Sequence, residues 1–261
     1  MTIVFDTRAL PAAERADAIC DAMQTASVPS HVVHEDPTGP VHGVFEMWEF
    51  GAASIFRAEM SGILLRRTPR QVRAFEAPML AVAVQQTGVS HYTQLDDRRT
   101  VPVGELHVMD LNSPYDFRWR GIGASTCLYV PLDRLDLPGQ LIRDAEVTVR
   151  DSPLYRLVAE HIVAMTQAAP ALSTGPAAAH TGAASVELVR GLLLSAGRDD
   201  ADATLLPDEV LLSQGARPCA PQSRRSGSRC RKYRSGTRCF GALPVQGLRR
   251  RRVRPCTVDH R

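Results

Sequence analysis

Between Gly43 and about Val130 the chain alternates short apolar stretches with glycine and polar breaks. Val44, Phe45, Met47, Trp48 and Phe50 open the region, and runs at 54–59, 63–67, 79–86, 91–94, 105–110 and 126–130 follow. Gly51, Gly62, Gly88, Gly104 and Gly121 stand between them. Short strands at this spacing, with Gly, Pro, Asn and Asp in the gaps, predict an antiparallel sandwich or barrel. Residues 94–98, Gln-Leu-Asp-Asp-Arg, predict a hairpin turn, and Asn112-Ser113-Pro114 predicts another.

Helical periods flank this region. Residues 11–24 predict a short helix: Pro11 suits the first helical position, Glu14 the N-terminal end, and Ile19 and Met23 give a modest apolar face. A loop with Pro29, Pro37 and Pro40 follows. After Val130-Pro131 the period changes. Asp151-Ser152-Pro153 reads as an N-cap with proline in the first turn. Leu154, Leu157, Val158, His161, Ile162 and Met165 then recur as one stripe of an amphipathic helix over 153–167. An Ala/Pro/Gly linker is expected over 168–179, and a second helix over 183–196 with Val186, Val189, Leu192 and Leu193 on one face. Residues 198–202 read as a solvated turn. Leu206-Pro207-Asp208-Glu209 starts a further helix, which Gly215, Pro218 and Pro221 end.

Charge changes the picture. Residues 1–214 hold 17 Arg, no Lys and 27 acidic side chains, a formal charge of −10. Residues 215–261 hold 13 Arg, Lys232 and a single acid, Asp259, a formal charge of +13. The total of +3 therefore hides two unlike segments. Cysteine divides the same way: Cys20 and Cys127 serve the first segment, and Cys219, Cys230, Cys239 and Cys256 crowd into the second. The second segment has no apolar period, and a basic block occupies 249–252. Such a composition predicts a disordered basic tail over 215–261, because too little apolar surface is available to offset the entropy of ordering. The opening Met1-Thr2-Ile3-Val4-Phe5-Asp6 has no basic n-region, so a secretory signal is not expected. No apolar run reaches bilayer-spanning length, and two distant cysteines make no disulfide framework, so a cytoplasmic location is expected.

The run Pro102-x-Gly104-Glu105-Leu106, followed by Asp110-x-x-x-Pro114-Tyr115-x-Phe117 and then Val130-Pro131-Leu132-Asp133-Arg134-Leu135, resembles the ligand-binding and dimerisation domain of AraC-type transcription regulators. The resemblance extends over roughly residues 5–214. It implies a mainly β fold with flanking helices: a cupin-like antiparallel barrel at about 43–130 followed by two α-helices at about 153–196. It further implies a small-molecule effector in the barrel interior, a homodimer, no cofactor and no enzymatic activity. In that family a DNA-binding domain with two helix-turn-helix units follows directly. Here the expected division is a ligand-binding domain over 1–200, the start of a truncated helix-turn-helix domain over 201–214, and a tail over 215–261. The gain of Arg and Cys with loss of acids is what an out-of-frame reading of a GC-rich gene produces. The expectation is a regulator lacking a functional DNA-binding domain, which holds DNA only weakly and without sequence preference. A genuine basic arm for nucleic acid and a metal-dependent cupin enzyme are the alternatives.

Candidate chemistry is thin. Cupin metal sites pair a His-x-His and a Glu with a later His after Pro-x-Gly. Pro102-x-Gly104-x-x-His107 matches the second half, whereas the first offers His91 with Asp96 and Asp97 and no Glu. Two imidazoles without an ordered carboxylate fall short of a facial triad, so no metal is expected. His31, His34 and His42, with Glu35 and Asp36, read as solvated loop residues. Cys127 reads as a small buried hydrophobe rather than a nucleophile. Cys219, Cys230 and Cys239 lack any Cys-x-x-Cys knuckle. The stripe Leu154, Leu157, Val158, His161, Ile162 and Met165 fits a dimer seam or core packing within one chain equally well.

Overall fold

A computed structural model describes residues 2–94 and 97–196. Nine strands lie among these residues: β1 (Thr2–Asp6), β2 (His31–His34), β3 (Gly43–Glu49), β4 (Ser54–Arg67), β5 (Met79–Thr87), β6 (Ser90–Gln94), β7 (Asp97–Val101), β8 (Leu106–Asp110) and β9 (Tyr115–Pro131). The helices are α1 (Arg15–Ala26), α2 (Pro69–Ala74), α3 (Leu132–Leu135), α4 (Gly139–Thr148), α5 (Tyr155–Leu172) and α6 (Ala178–Ala196).

Two long strands organise the sheet. β4 and β9 pair antiparallel from Ser54↔Tyr129 to Arg67↔Tyr115, with a register shift between Ser61 and Ile63. At that shift β4 exchanges β3, which pairs with its first half, for β2, which pairs with its second. β9 likewise exchanges β6 for β5. One wall is therefore β1-β3-β4-β9-β5-β8 and the other is β2-β4-β9-β6-β7. Both walls share the two bent strands and enclose one apolar cluster, which joins Phe45, Phe56 and Met109 of the first to Tyr92, Phe117 and Trp119 of the second. Glycine allows the bend: Gly121 has φ +63°, and a Cβ on Gly123 would sit 2.5 Å from the Trp119 ring. The result is the antiparallel, cupin-like barrel with flanking helices.

The first wall is buried on both faces. Leu80, Val82 and Val84 of β5 pack on the helices, with Ile142 of α4, Val158, Ile162 and Met165 of α5 and Val189, Leu192 and Leu193 of α6. The alternate residues Ala81 and Ala83 face the barrel interior. A strand covered on both sides reads as a continuous apolar run, and the alanines leave room inside.

Several boundaries differ from the sequence expectation. The runs 54–59 and 63–67 are one strand, because Gly62 marks a bulge rather than a turn. Strand β9 begins eleven residues before 126. Of the expected turn at 94–98, Asp97 and Arg98 belong to β7, while Leu95 and Asp96 lie outside the described residues. The expected loop after residue 24 contains β2, and α1 begins at Arg15 after a 3-10 turn at Ala12–Glu14. Helix α4 adds to the two expected helices. Helix α5 continues through the expected linker to Leu172, helped by alanines with high helix propensity. The turn at 198–202, the helix start at Leu206, the truncated segment 201–214 and the tail 215–261 lie outside the described residues.

Candidate functional site

The interior of the barrel concentrates the unusual chemistry. On β8, Leu106 and Val108 face the helices, so His107 and Met109 face inward. His107 is 2 % exposed. Its ring lies between Phe117, stacked at 5.6 Å and 16°, and Tyr92, tilted at 5.6 Å. Neither ring nitrogen has a hydrogen-bond partner among the described residues. Burial, aided by the Arg99 charge, pushes its pKa down to about 4. The imidazole is thus neutral at physiological pH and offers one donor and one acceptor.

His107 borders a cavity of ≈ 40 Å³, lined also by Met60, Met109, Trp119, Cys127 and Tyr129. No charged side chain lies among the described residues that line it. The other polar groups are engaged: Trp119 Nε1 donates to the Met60 carbonyl at 3.3 Å, and Tyr129 Oη donates to Ser27 Oγ at 3.3 Å. Burial pushes the Cys127 thiol up to about 12 and the Tyr115 hydroxyl up to about 12, so both stay protonated. A protonated, buried thiol is inert as a nucleophile. Met23 and Ser27 of α1 close one side.

Size decides what the closed barrel holds. At ~10–15 Å³ of accessible space per water, the cavity takes about three or four waters. Ligand pockets of drug size need ~300 Å³ or more. A larger guest requires Met60, Met109 and Met23 to repack and α1 to move outward. Unbranched methionine is suited to such repacking.

The histidines expected as possible metal ligands do not converge. His91 lies on the outer face of β6 in the second wall, with Nδ1 3.3 Å from Thr100 Oγ1, whereas His107 points into the barrel from β8 in the first wall. Asp97 is ion-paired with Arg99, and Asp96 lies outside the described residues. No group of three or more His, Cys, Asp or Glu side chains gathers among the described residues, so this donor set does not fit a cupin metal. His34 is buried beneath α1, its Nε2 3.2 Å from the Ala16 carbonyl. His42 lies 3.6 Å from Glu59, and His31 stands exposed opposite Arg66.

The α5 stripe faces mostly inward. Val158 and Ile162 are fully buried and Met165 nearly so, all against the same chain. Leu154 is partly buried against that core, and His161 Nε2 lies 2.8 Å from Ser185 Oγ on α6. Leu157, half exposed, is the member turned to solvent. Periodicity locates the stripe, whereas the sequence offers His107 only as half of a cupin metal motif and gives no sign that its ring is buried without a partner.

A nine-stranded barrel backed by helices on one wall, with no charged side chain among the described residues lining its cavity, defines a cupin-like domain. The AraC-binding-like domain family matches residues 19–194, and the chain belongs to that family. Among solved structures, the AraC-like transcriptional activator CuxR matches with 16 % identity over 84 % of this chain and 81 % of its own, at a TM-score of 0.64. That likeness is one of fold. A cupin domain of an XRE-family transcriptional regulator from Enterobacter cloacae matches 39 % of this chain and 95 % of its own, with 16 % identity and a TM-score of 0.27. Ectoine synthase from P. lautus matches 40 % and 72 %, with 12 % identity and a TM-score of 0.27. No curated protein matches by sequence. No helix among the described residues is long and apolar enough to cross a membrane.

Proposed function

We propose that this chain is the effector-sensing part of an AraC-type regulator, a binding protein rather than an enzyme, and that the barrel interior takes a small, neutral, mainly apolar molecule oriented by His107. The carrying observation is a buried imidazole with no partner among the described residues, set in a cavity whose described lining carries no charge. Leaving a buried polar group unpaired destabilises by ~1–3 kcal/mol, and a ligand hydroxyl or carbonyl removes that penalty. No charged side chain is among the described residues lining the cavity, and the buried Arg67 guanidinium is held by the Pro29 and Phe75 carbonyls, so a charged ligand would be desolvated without a contacting counter-charge.

Strand β5 links the pocket to the helices. Ala83 lines the cavity while Val82 and Val84 beside it touch the helical layer. A guest that swells the interior presses this strand toward α5, where Thr126 Oγ1 of β9 meets Thr166 Oγ1 at 2.6 Å. Such coupling works only if the ligand favours one of two arrangements. Assembly as a homodimer belongs to the same proposal, with Leu157 as the stripe residue available to a second copy. So does the division into a sensor over 1–200, a truncated helix-turn-helix start over 201–214 and a basic segment over 215–261, in a cytoplasmic protein that lacks a working DNA-binding domain.

The test uses two probes of like shape, neutral 4-methylphenol and anionic benzoate, in calorimetric titration of the full chain. The proposal expects saturable binding of the neutral probe, lost in His107→Phe, and none of the anion inside the barrel. Equal binding of the neutral probe by wild type and variant would overturn it.

A further inference from the structure

We propose a second ligand site, separate from the interior, on the outer face of the second wall: a groove for a small multivalent oxyanion, a phosphate ester or a polycarboxylate. The groove has a volume of ≈ 390 Å³, within the ~300–1,000 Å³ range of small-molecule sites. Strand alternation builds it. Tyr92 and Phe117 point inward, so their neighbours His91 and Arg118 point outward. Register then sets two rows across the strands. Arg118 sits between Leu64 and His91, and His91 faces Thr100. Asp116 sits between Arg66 and Thr93, and Thr93 faces Arg98.

The charge on this face is unbalanced. Asp116, the groove's carboxylate, is taken by Arg66 in a two-pronged bond, 2.8 Å on each arm. Arg99 is engaged by Asp97 and by the Val147 carbonyl. Among the described residues, Arg98 and Arg118 make no ion pair, yet both line the groove with His91. His91 Nδ1 is occupied by Thr100, which presents Nε2 to the groove. β6 separates Arg98 on β7 from Arg118 on β9, so their repulsion acts across the groove and is strongest at low salt, where a concave lining focuses the field. An oxyanion spanning the two guanidinium forks relieves that repulsion, because a fork matches the geometry of a phosphate or carboxylate edge. Leu64 supplies an apolar floor for the body of the ligand.

The experiment titrates the full chain with inorganic pyrophosphate and, separately, citrate, against sodium chloride at matched ionic strength. The basic segment 215–261 attracts anions in every variant alike, so the readout is the difference between variants. The expected result is a saturable phase with at least one of the two anions, weakened tenfold or more in Arg98→Gln/Arg118→Gln and unchanged in Arg70→Gln, an exposed arginine outside the groove. The tighter of the two names the ligand class. Without ligand, the double variant should also unfold at a higher temperature than wild type at low salt, with the gap closing at high salt as the charges are screened. A saturable phase unaffected by the double substitution overturns the proposal. So does a response reproduced by chloride, or a double variant that loses affinity for duplex DNA but not for either anion.

Discussion

Replacing His107 by phenylalanine removes a polar side chain that makes no hydrogen bond among the described residues, from a seat already flanked by Phe117 and Tyr92. Two effects favour the variant. An unpaired buried polar group is removed, worth ~1–3 kcal/mol. Filling the ≈ 40 Å³ cavity adds at most about 1 kcal/mol at ~24 cal/mol per Å³. The expected net gain is about 1–4 kcal/mol, or roughly 2–4 °C in Tm per kcal/mol for a domain of this size. The pH dependence gives a second reading. The folded-state pKa of His107 is about 4 against an ordinary 6.5. Between those values the unfolded chain binds the proton and the folded chain does not, so wild-type stability falls as pH drops through that window, by up to about 3 kcal/mol. The variant lacks this loss, and its advantage should be larger at pH 5 than at pH 7. Urea unfolding of both proteins at the two pH values measures it. A variant less stable than wild type by more than about 1 kcal/mol, or an advantage that does not grow on acidification, would show that His107 holds the barrel together rather than waiting for a ligand.

Other substitutions probe the surroundings. Burial, with repulsion from Asp110, pushes Glu146 up to about 8, so the folded state holds a proton that the unfolded state releases and stability declines as pH rises from 4.5 to 8. Glu146→Gln should therefore gain ~1–3 kcal/mol at pH 9 and little at pH 4, read by urea midpoints; an equal gain at both would contradict the titration. Ile162→Ala should lose ~2–5 kcal/mol from the core, whereas Leu157→Glu should keep the fold and convert a dimer to a monomer by light scattering. An unchanged assembly state would move the seam elsewhere. On duplex DNA, the full chain should bind with a log K against log salt slope near −0.9 per phosphate neutralised and no choice between two unrelated sequences. A preference beyond ~1–3 kcal/mol, the scale of one good base contact, would mean that the basic segment reads sequence.

Much of the fold was legible because binary patterning and turn residues survive in the sequence. The barrel, the α5 stripe and the family likeness all came from runs such as 79–84 and 102–117. What stayed hidden has physical reasons. Residues 97–101, Asp-Arg-Arg-Thr-Val, are polar because β7 lies at an edge with an outward face. Strand β2 is flanked by Pro29 and Pro37 and carries two histidines, which read as loop. Gly62 punctuates the sequence like a turn although the strand continues through a bulge. The site was less legible. Leu106-His107-Val108-Met109 places a histidine in a strand buried on both faces, and that was the available signal. Only coordinates show that no neighbour satisfies the ring. The outer groove is invisible to linear reading, since Leu64, His91, Arg98 and Arg118 meet through cross-strand register alone.

The central claim is that the interior imidazole meets an effector. Nitrogen-15 NMR of the histidine side chains tests it most directly, with the His107→Phe variant identifying the resonance. Adding neutral 4-methylphenol should shift both His107 ring nitrogens, as a partner reaches a group that has none in the closed barrel, and leave the exposed His31 and His91 unmoved. Shifts confined to His91 or to other surface histidines, with His107 silent at saturation, would contradict it.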